Sequence, residues 1–471
     1  MKTARKIMAA LSAAGHESYI VGGAVRDMVR GVRPADIDIA TSAMPERIVE
    51  IIGQQGWKAI MVGVAFGVVV VVAAGRSYEV ATLRSEQYGR DSHRPEKVIL
   101  GVSLAQDLAR RDFTINAMAM DSTGRLIDLF GGRDDLAAGI IRAVGDPRER
   151  FAEDALRMFR AARFAARFNF TLEGRTLKAI PVALERVNGL SVERVRNEIE
   201  QTLLAEFASH GLDIMLKTGL LAASCQAKEQ GQIFSLPILP ELSHLDGVPQ
   251  NPCYHCYDVW HHTLAVVDLA PPSPVLRWAA LLHDIAKGWP EVRTLNRQGQ
   301  PSDPGHDRKG AAAAAVILDR LKVERQTVAQ VTWLIRHHLF LPALAEKAVI
   351  KWLKRLSRDF KKTGELEAAL LQLFELHEAD RRGGHTQPDL AGLMAVREMV
   401  RSVMDRIPFF PDQLTLSGRE IAGKLGNGPE VGRFQHNLLT RIQAGQLCNN
   451  SAALMMALDA RVRRLARKTR E

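Results

Sequence analysis

The sequence predicts an α+β chain, with an N-terminal head on a small mixed sheet followed by a mainly helical remainder. Three observations carry this. Residues 68–74 (VVVVVAA) and 78–83 (YEVATL) are β-branched runs on either side of an Ala-Gly-Arg-Ser turn, and they read as adjacent strands. Residues 36–40 (DIDIA) alternate, which predicts a short strand with Asp36 and Asp38 on one face. From about residue 145 the β signals fade and apolar residues recur at three-to-four spacing, as in residues 153–168 and 311–321.

At 471 residues the chain exceeds one comfortable core, so several modules in a row are expected. Its formal charge of +10 suits a polyanionic partner, although the same excess also aids solubility. Four cysteines (Cys225, Cys253, Cys256 and Cys448) make no disulfide framework, which predicts a reducing, cytoplasmic setting. Cys253 and Cys256 form a single C-x-x-C beside His255, whereas a zinc site needs two such pairs or further ligands. No apolar run reaches the roughly 18 residues of a membrane span, and no signal core opens the sequence. Pro-rich residues 236–252 and 271–274 read as boundaries or loops, and residues 461–470 as a basic tail.

The head carries the first chemistry. A strand over residues 18–21 should run into a helix through Gly22 and Gly23, where glycines let the backbone approach a phosphate and Arg26 adds positive potential. The bland alternative is a structural turn. Asp36 and Asp38 change the balance, because adjacent carboxylates are costly unless a cation neutralises them. Oxygen-only ligands favour Mg2+, and two such ions can bridge the carboxylates, a triphosphate and an attacking hydroxyl. Glu79, on the strand predicted beside them, is a third carboxylate: a metal ligand, a base near the hydroxyl, or an acid on an edge strand.

Together, G-G-A-V-R-D at 22–27, Asp36-Ile37-Asp38 and R-R-D-F-T-I-N-A at 110–117 resemble the class II tRNA nucleotidyltransferases, the CCA-adding and bacterial poly(A) polymerase family. The resemblance implies a polymerase beta-like nucleotidyltransferase head (1–140), a helical neck with a nucleotide-selecting helix (141–205), a helical body or linker (206–250), an HD-type domain (251–400) and a helical, tRNA-binding tail (401–471). It implies that Arg110, Arg111, Asp112 and Asn116 hold the triphosphate and ribose. Adjacent arginines suit phosphates, and Asp112 and Asn116 suit sugar hydroxyls.

Asp154 and Arg157, three apart in a predicted helix, share a face. Cytosine and adenine each carry an exocyclic amine that donates to a carboxylate, with ring acceptors for a guanidinium. Uracil and guanine place a carbonyl there, which costs about 1–3 kcal/mol for each lost contact. The resemblance assigns this selection to Asp154 and Arg157, supported by Glu153 and Arg160; alone the pair would be an ordinary surface ion pair. Polar residues 85–97, with Tyr88, Gly89, Arg90, Asp91, His93 and Arg94, resemble the mobile loop of CCA- and A-adding members.

A second constellation is His262, His283-Asp284, His306 and His337-His338, imidazoles and a carboxylate spread over predicted helices that can hold one or two divalent ions. It resembles an HD phosphohydrolase domain, with Asp380 as closing aspartate, and implies metal-activated water attacking a phosphate ester. N,O ligands accept Mn2+, Fe2+, Ni2+ or Zn2+ as well as Mg2+. An HD domain in this setting can equally be structural alone. Residues 416–450 resemble the family's helical tail. The basic run Arg461, Arg463, Arg464, Arg467, Lys468 and Arg470 suits tRNA phosphates or is a solvated, disordered end.

The expected activity is addition of C, C and A to a tRNA 3′ end from CTP and ATP without a template. Within the class, an A-adding enzyme or a poly(A) polymerase would share the same head. From other classes, the alternatives are an HD metal phosphohydrolase with an RNA-binding head, and a pure RNA-binding protein that needs neither metal site.

Overall fold

A computed structural model of the chain describes residues 1–62, 66–88, 95–385 and 388–468. It forms two compact units, residues 1–246 with 317–323 and residues 247–316 with 324–471. No described helix is long and apolar enough to cross a membrane.

The first unit opens with α1 (Lys2–Ala13), β1 (Ser18–Val21), α2 (Gly23–Val29), β2 (Asp38–Thr41), α3 (Pro45–Gln54), β3 (Lys58–Met61), β4 (Val68–Ala73) and β5 (Arg76–Thr82). After these come β6 (Arg84–Tyr88), β7 (Pro95–Leu100), α4 (Leu104–Ala109), β8 (Met118–Met120), β9 (Leu126–Asp128), α5 (Gly132–Ala138) and β10 (Ile140–Ile141). Seven strands form one mixed sheet in the order β3-β4-β5-β2-β1-β8-β9. Period-two burial decides which face is inside: in β4, Val69, Val71 and Ala73 are buried and Val68, Val70 and Val72 half-buried.

The strand holding the aspartates is shorter than expected. Pairing starts at Asp38, opposite Val21 on β1 and Glu79 on β5, so Asp36 lies in the bend before β2 rather than on its face. Val21 is the last residue of β1 and the chain leaves at Gly22, which removes any partner for Asp36. Residues 85–97 are also not a plain loop: β6 and β7 pair as an antiparallel hairpin. Gly89, Arg90, Asp91, His93 and Arg94 lie outside the described residues.

The neck comprises α6 (Pro147–Glu153), α7 (Leu156–Phe168), β11 (Thr171–Leu172), α8 (Gly174–Val182), α9 (Val192–Leu203) and α10 (Ala208–Lys217). The helix expected over 153–168 is broken. Asp154 is extended (φ −141°, ψ 103°) and its Oδ1 accepts the Leu156 amide at 3.1 Å. A short carboxylate that can cap a new helix competes with continuing the old one, and here it ends α6 and starts α7. The apolar side of α7, including Met158, Phe159 and Ala162, packs on α9 and α10. Phe159 is fully buried, and truncating such a ring to alanine costs about 3–5 kcal/mol.

Residues 206–250 are not wholly helical. A hairpin of β12 (Ser224–Glu229) and β13 (Gln232–Pro237) turns through Gln230 and Gly231, at φ 47° and 85°. Two positive φ values match the twist of a two-residue hairpin, and glutamine is a poor advertisement for such a turn.

The second unit holds α11 (Val259–Leu269), α12 (Pro274–Leu282), the short pair β14 (Thr294–Leu295) and β15 (Pro301–Ser302), and α13 (His306–Arg320), whose last turn belongs to the first unit. It continues with α14 (Arg325–His337), α15 (Glu346–Leu356), α16 (Thr363–Gly384) and α17 (Ala391–Arg406). Trp260 and Trp278 are fully buried in its core. The final helices α18 (Gly418–Leu425), α19 (Pro429–Gln443) and α20 (Ser451–Lys468) enclose their own cluster of Leu416, Ile421, Leu438, Leu454 and Leu458. The basic run at 461–468 is therefore the end of a helix rather than a disordered tail, and Arg461 reaches Glu430 at 2.5 Å. Arg470 lies outside the described residues.

Candidate active site and metal centre

A cleft of about 470 Å3 in the first unit gathers most of the predicted nucleotide contacts: Gly22, Gly23, Arg26, Asp38, Arg110, Arg111, Asp112, Asn116, Asp154, Arg157 and Arg160 all line it. Eight arginines there face four carboxylates, a potential suited to a polyphosphate. Asp36 and Glu79 are not in its lining. Glu79 is exposed on β5, in parallel register with Asp38.

Asp38 sits where β2 begins. Desolvation raises its carboxyl above the ordinary range, and Glu79 and Asp36 push the same way against Arg111. A carboxylate crowded by two others gains most from a cation, so the donor chemistry fits a hard divalent metal. Among the described residues, Asp36, Asp38 and Glu79 do not close into a triad within 4.8 Å.

At the turn from β1 to α2, Gly22 has φ 68°, and a Cβ there would stand 2.9 Å from Arg111 Nη1. The left-handed backbone is what calls for glycine here, and the Arg111 guanidinium lies close over the space a Cβ would take. Arg26 is more committed than predicted. It is buried, donates to Asn116 Oδ1 at 2.7 Å and to Asp27 Oδ1 at 2.9 and 3.0 Å, and stacks over Phe168 at 4.8 Å.

Two acids that sequence reasoning missed organise the arginine pair. Asp107 receives Arg110 at 2.8 Å and Arg111 at 3.1 Å, and Glu86 receives Arg110 at 3.0 Å. Burial alone would raise both carboxyls, but the arginines hold them below the usual range. Glu86 also accepts from Tyr88 Oη at 2.7 Å, which ties the hairpin to the arginines and, with burial, raises the tyrosine hydroxyl. No local pattern marks either acid; only the fold brings the hairpin to the arginines.

Asp112 is buried and accepts from Arg160, Asn116 and its neighbour's amide. Asp154 and Arg157 both face the cleft but are not paired with each other. Arg157 bonds Glu153 at 2.6 Å and the carbonyls of Arg150 and Arg110, while Asp154 lies 3.4 Å from Arg194.

In the second unit the imidazoles converge. His262 comes from α11, His283 and Asp284 from the end of α12, His306 from the start of α13, His338 from just beyond α14 and Asp380 from α16. The Nδ1 atoms of His283, His306 and His338 each donate to a backbone carbonyl three residues back, at 2.8, 2.6 and 2.6 Å. That fixes each tautomer and leaves Nε2 as a lone-pair donor turned inward, the arrangement a metal ligand needs. His262 and His283 present Nε2 to each other at 3.3 Å, and His262 Nε2 lies 3.1 Å from Asp380. Around Asp284 the nitrogens of His283, His306 and His338 stand at 3.2, 3.1 and 3.7 Å.

Two triads close within 4.8 Å, His262-His283-Asp284 and Asp284-His306-His338. Both Asp284 oxygens and the Nε2 atoms of His306 and His338 are buried without a hydrogen-bond partner of good geometry, so the cluster fits a divalent cation. Lys287, 2.7 Å from Asp284, and half-buried His255, ring to ring with His262 at 4.6 Å, join this centre. His337 does not: it turns to Asp359 and packs at a tilt against Trp333. Cys253 and Cys256 are free thiols and enter no metal triad among the described residues.

Residues 18–142 match the family described as Poly A polymerase head domain. This segment is similar to a poly A polymerase head. Behind the head, residues 169–224 match the probable RNA and SrmB-binding site of polymerase A, and residues 253–381 match the HD domain. The chain is 47% identical over 214 residues to a CCA-adding enzyme of Geobacillus sp. (strain WCH70), covering 45% of this chain and 52% of the relative. It is 43% identical over 240 residues to one of Enterococcus faecalis, covering 51% and 58%. The chain therefore spans little more than half the length of these curated relatives. The crystal structure of Bacillus stearothermophilus CCA-adding enzyme in complex with CTP superposes with a TM-score of 0.67 at 27% identity, covering 99% of this chain and 98% of that one. The Thermotoga maritima CCA-adding enzyme complexed with tRNA shares the fold, with a TM-score of 0.56 at 17% identity, covering 97% and 94%. With the head goes the α+β class.

Proposed function

We propose that the chain is a CCA-adding tRNA nucleotidyltransferase, which extends tRNA by C, C and A from CTP and ATP without a template. The observation that carries this is one cleft in which Asp38, the Arg110-Arg111 pair, and Asp154 with Arg157 all face the same space. The likeness to CCA-adding enzymes supports the same reading.

Arg110 and Arg111, aimed by Asp107 and Glu86, receive the triphosphate, and Asp112 and Asn116 complete the sugar contacts. Asp154 accepts the exocyclic amine of cytosine or adenine while Arg157, held by Glu153 and two carbonyls, donates to the ring acceptor. Asp36 and Asp38, with Glu79 beside them, would hold two Mg2+. When bound, those ions neutralise developing charge and lower the proton affinity of the primer hydroxyl. The tRNA 3′ oxygen forms a bond to the α-phosphorus, the bond to pyrophosphate breaks and the hydroxyl proton leaves, Glu79 being the nearby base.

The proposed division is head 1–140, neck 141–205, body 206–250, HD region 251–400 and tail 401–471, the last holding tRNA. The HD centre is proposed to hold Mg2+ or a divalent transition metal at His262, His283, Asp284 and His306 and to hydrolyse phosphate esters. Four free thiols and a tRNA substrate support a cytoplasmic setting.

Incubation with tRNAs lacking one, two or all three terminal nucleotides, each with a single NTP, tests the reading. CTP should extend the two shorter tRNAs that lack a C, and ATP should complete only the tRNA ending in CC. Refusal of CTP would make the enzyme A-adding, and unlimited growth on ATP a poly(A) polymerase.

A further inference from the structure

The second unit carries a hollow of about 550 Å3 formed by the start of α13, the end of α14 and the segment closing α15, where Arg308, Arg336, Arg355 and Arg358 meet beside Phe340. Two carboxylates share it, Asp307 and Asp359, and Asp359 already accepts from Trp333 Nε1 at 3.0 Å. Arg355 lies on the Phe340 ring at 5.3 Å, a stacking that leaves its N–H fork free. The guanidinium groups of Arg308, Arg336 and Arg358 have no ion pair or hydrogen-bond partner among the described residues. In the head cleft, by contrast, Arg110, Arg111, Arg157 and Arg160 are each paired with a carboxylate.

Four cations against two acids repel one another until an anion enters. A second hollow of about 540 Å3 adjoins the first, sharing Arg308, Arg336 and Asp359 but walled by Ala311, Ala312 and Trp333. One end of the joint groove is cationic and the other apolar and aromatic. Both hollows are in the size range of small-molecule sites.

The geometry points to a binding site for a nucleoside phosphate on this face, with the phosphates among Arg308, Arg336 and Arg358 and the base in the apolar hollow beside Trp333. The ligand carries at least two negative charges, and it is either a free nucleotide or the end of an RNA strand. The site is separate from the nucleotide cleft of the head and does not rest on the activity proposed for it. Asp307 and His337 line the groove while their chain neighbours His306 and His338 belong to the imidazole cluster, so the two sites share helix ends.

The test uses the full chain with the head's affinity reduced by Arg111→Ala, titrated separately with ATP and with tetra-adenylate by calorimetry and tryptophan fluorescence. At least one ligand should still bind, and Arg336→Glu with Arg358→Glu should weaken it by about a hundredfold or more, the loss of two charge-assisted contacts. Binding of ATP identifies a free nucleotide, and binding of tetra-adenylate alone an RNA end. Trp333→Phe should remove the fluorescence change while circular dichroism stays unaltered. If neither ligand binds, or if charge reversal leaves the titration of both unchanged, the proposal is overturned.

Discussion

Arg160, on α7, donates two hydrogen bonds to Oδ2 of Asp112, at 2.9 and 2.6 Å, so the helix that begins beside Asp154 is anchored in the head's R-R-D segment. Asn116 bonds the other Asp112 oxygen at 3.1 Å and Arg26 bonds Asn116 at 2.7 Å. This chain of contacts links α2, just after the Gly22 turn, to α7, beside the residues proposed to read the base.

Burial alone would raise the Asp112 carboxyl, but Arg160 and Asn116 hold it at about 2. A depressed carboxyl stabilises the fold at pH values above its unfolded value near 4, and that contribution is lost as the pH falls towards 2. Asp112→Asn should therefore cost about 2–3 kcal/mol at pH 7, because it leaves Arg160 partly buried and unpaired. Urea unfolding at pH 7 and pH 3 measures it: the wild type should lose stability between the two, and the gap between wild type and variant should narrow at pH 3. An equal gap at both pH values would mean that Asp112 is not ionised in the native state.

Asp38 is crowded by Glu79 and Asp36, so the three acids gain together from a cation. Asp36→Asn and Asp38→Asn should each lower nucleotide addition by roughly a thousandfold, with the melting temperature unchanged or raised because repulsion is relieved. A single-turnover assay with CTP and a shortened tRNA reads the first effect, and calorimetry the second. Normal extension by the doubly amidated protein would remove the basis of the proposed chemistry.

Arg157 is buried and held by Glu153 and two carbonyls, whereas Asp154 is fixed by capping α7. Asp154→Ala should relax selection against UTP by about 1–3 kcal/mol, roughly 5- to 150-fold in kcat/KM, and also fray the start of α7. Asp154→Asn keeps much of the cap but reverses part of the hydrogen-bond polarity, so it separates recognition from stability. Retention of full discrimination by Asp154→Asn would mean that another group reads the base.

These residues also show where sequence reasoning reached and where it stopped. The turn at Gly22, the strand carrying Asp38 and the strands β4 and β5 were legible, because glycine, alternation and β-branching act over a few residues. Asp36 fell outside β2 because its partner strand ended, a fact about β1 rather than about residues 36–40. The helix break at Asp154 was hidden in a strongly periodic stretch, since one capping carboxylate outweighs helical propensity around it. The hairpin at 224–237 escaped because its turn places glutamine at positive φ. Asp107 and Glu86, which aim Arg110, come from separate segments that only tertiary structure unites. The imidazole cluster was legible in His262, His283, Asp284 and His306, yet His337 looked equivalent to His338 until α14 turned one outward.

The cluster itself makes the last prediction. Three imidazoles already have Nδ1 committed to carbonyls, so little reorganisation accompanies ligation, and a divalent ion should bind the native state far better than the unfolded chain. At a hundredfold excess over its dissociation constant, such an ion stabilises by about 2.7 kcal/mol, a rise of a few degrees in the melting point of the unit that holds it. Mn2+ or Ni2+ added to chelator-treated protein should give this shift. Asp284→Asn should abolish it, since Asp284 belongs to both triads, while His337→Ala should leave it intact. Nucleotide addition by Asp284→Asn should persist, because the chemistry proposed for it uses residues of the head. An unchanged melting curve with Mn2+, Ni2+, Zn2+ and Mg2+ alike would make the centre a structural imidazole core, with Lys287 rather than a metal neutralising Asp284.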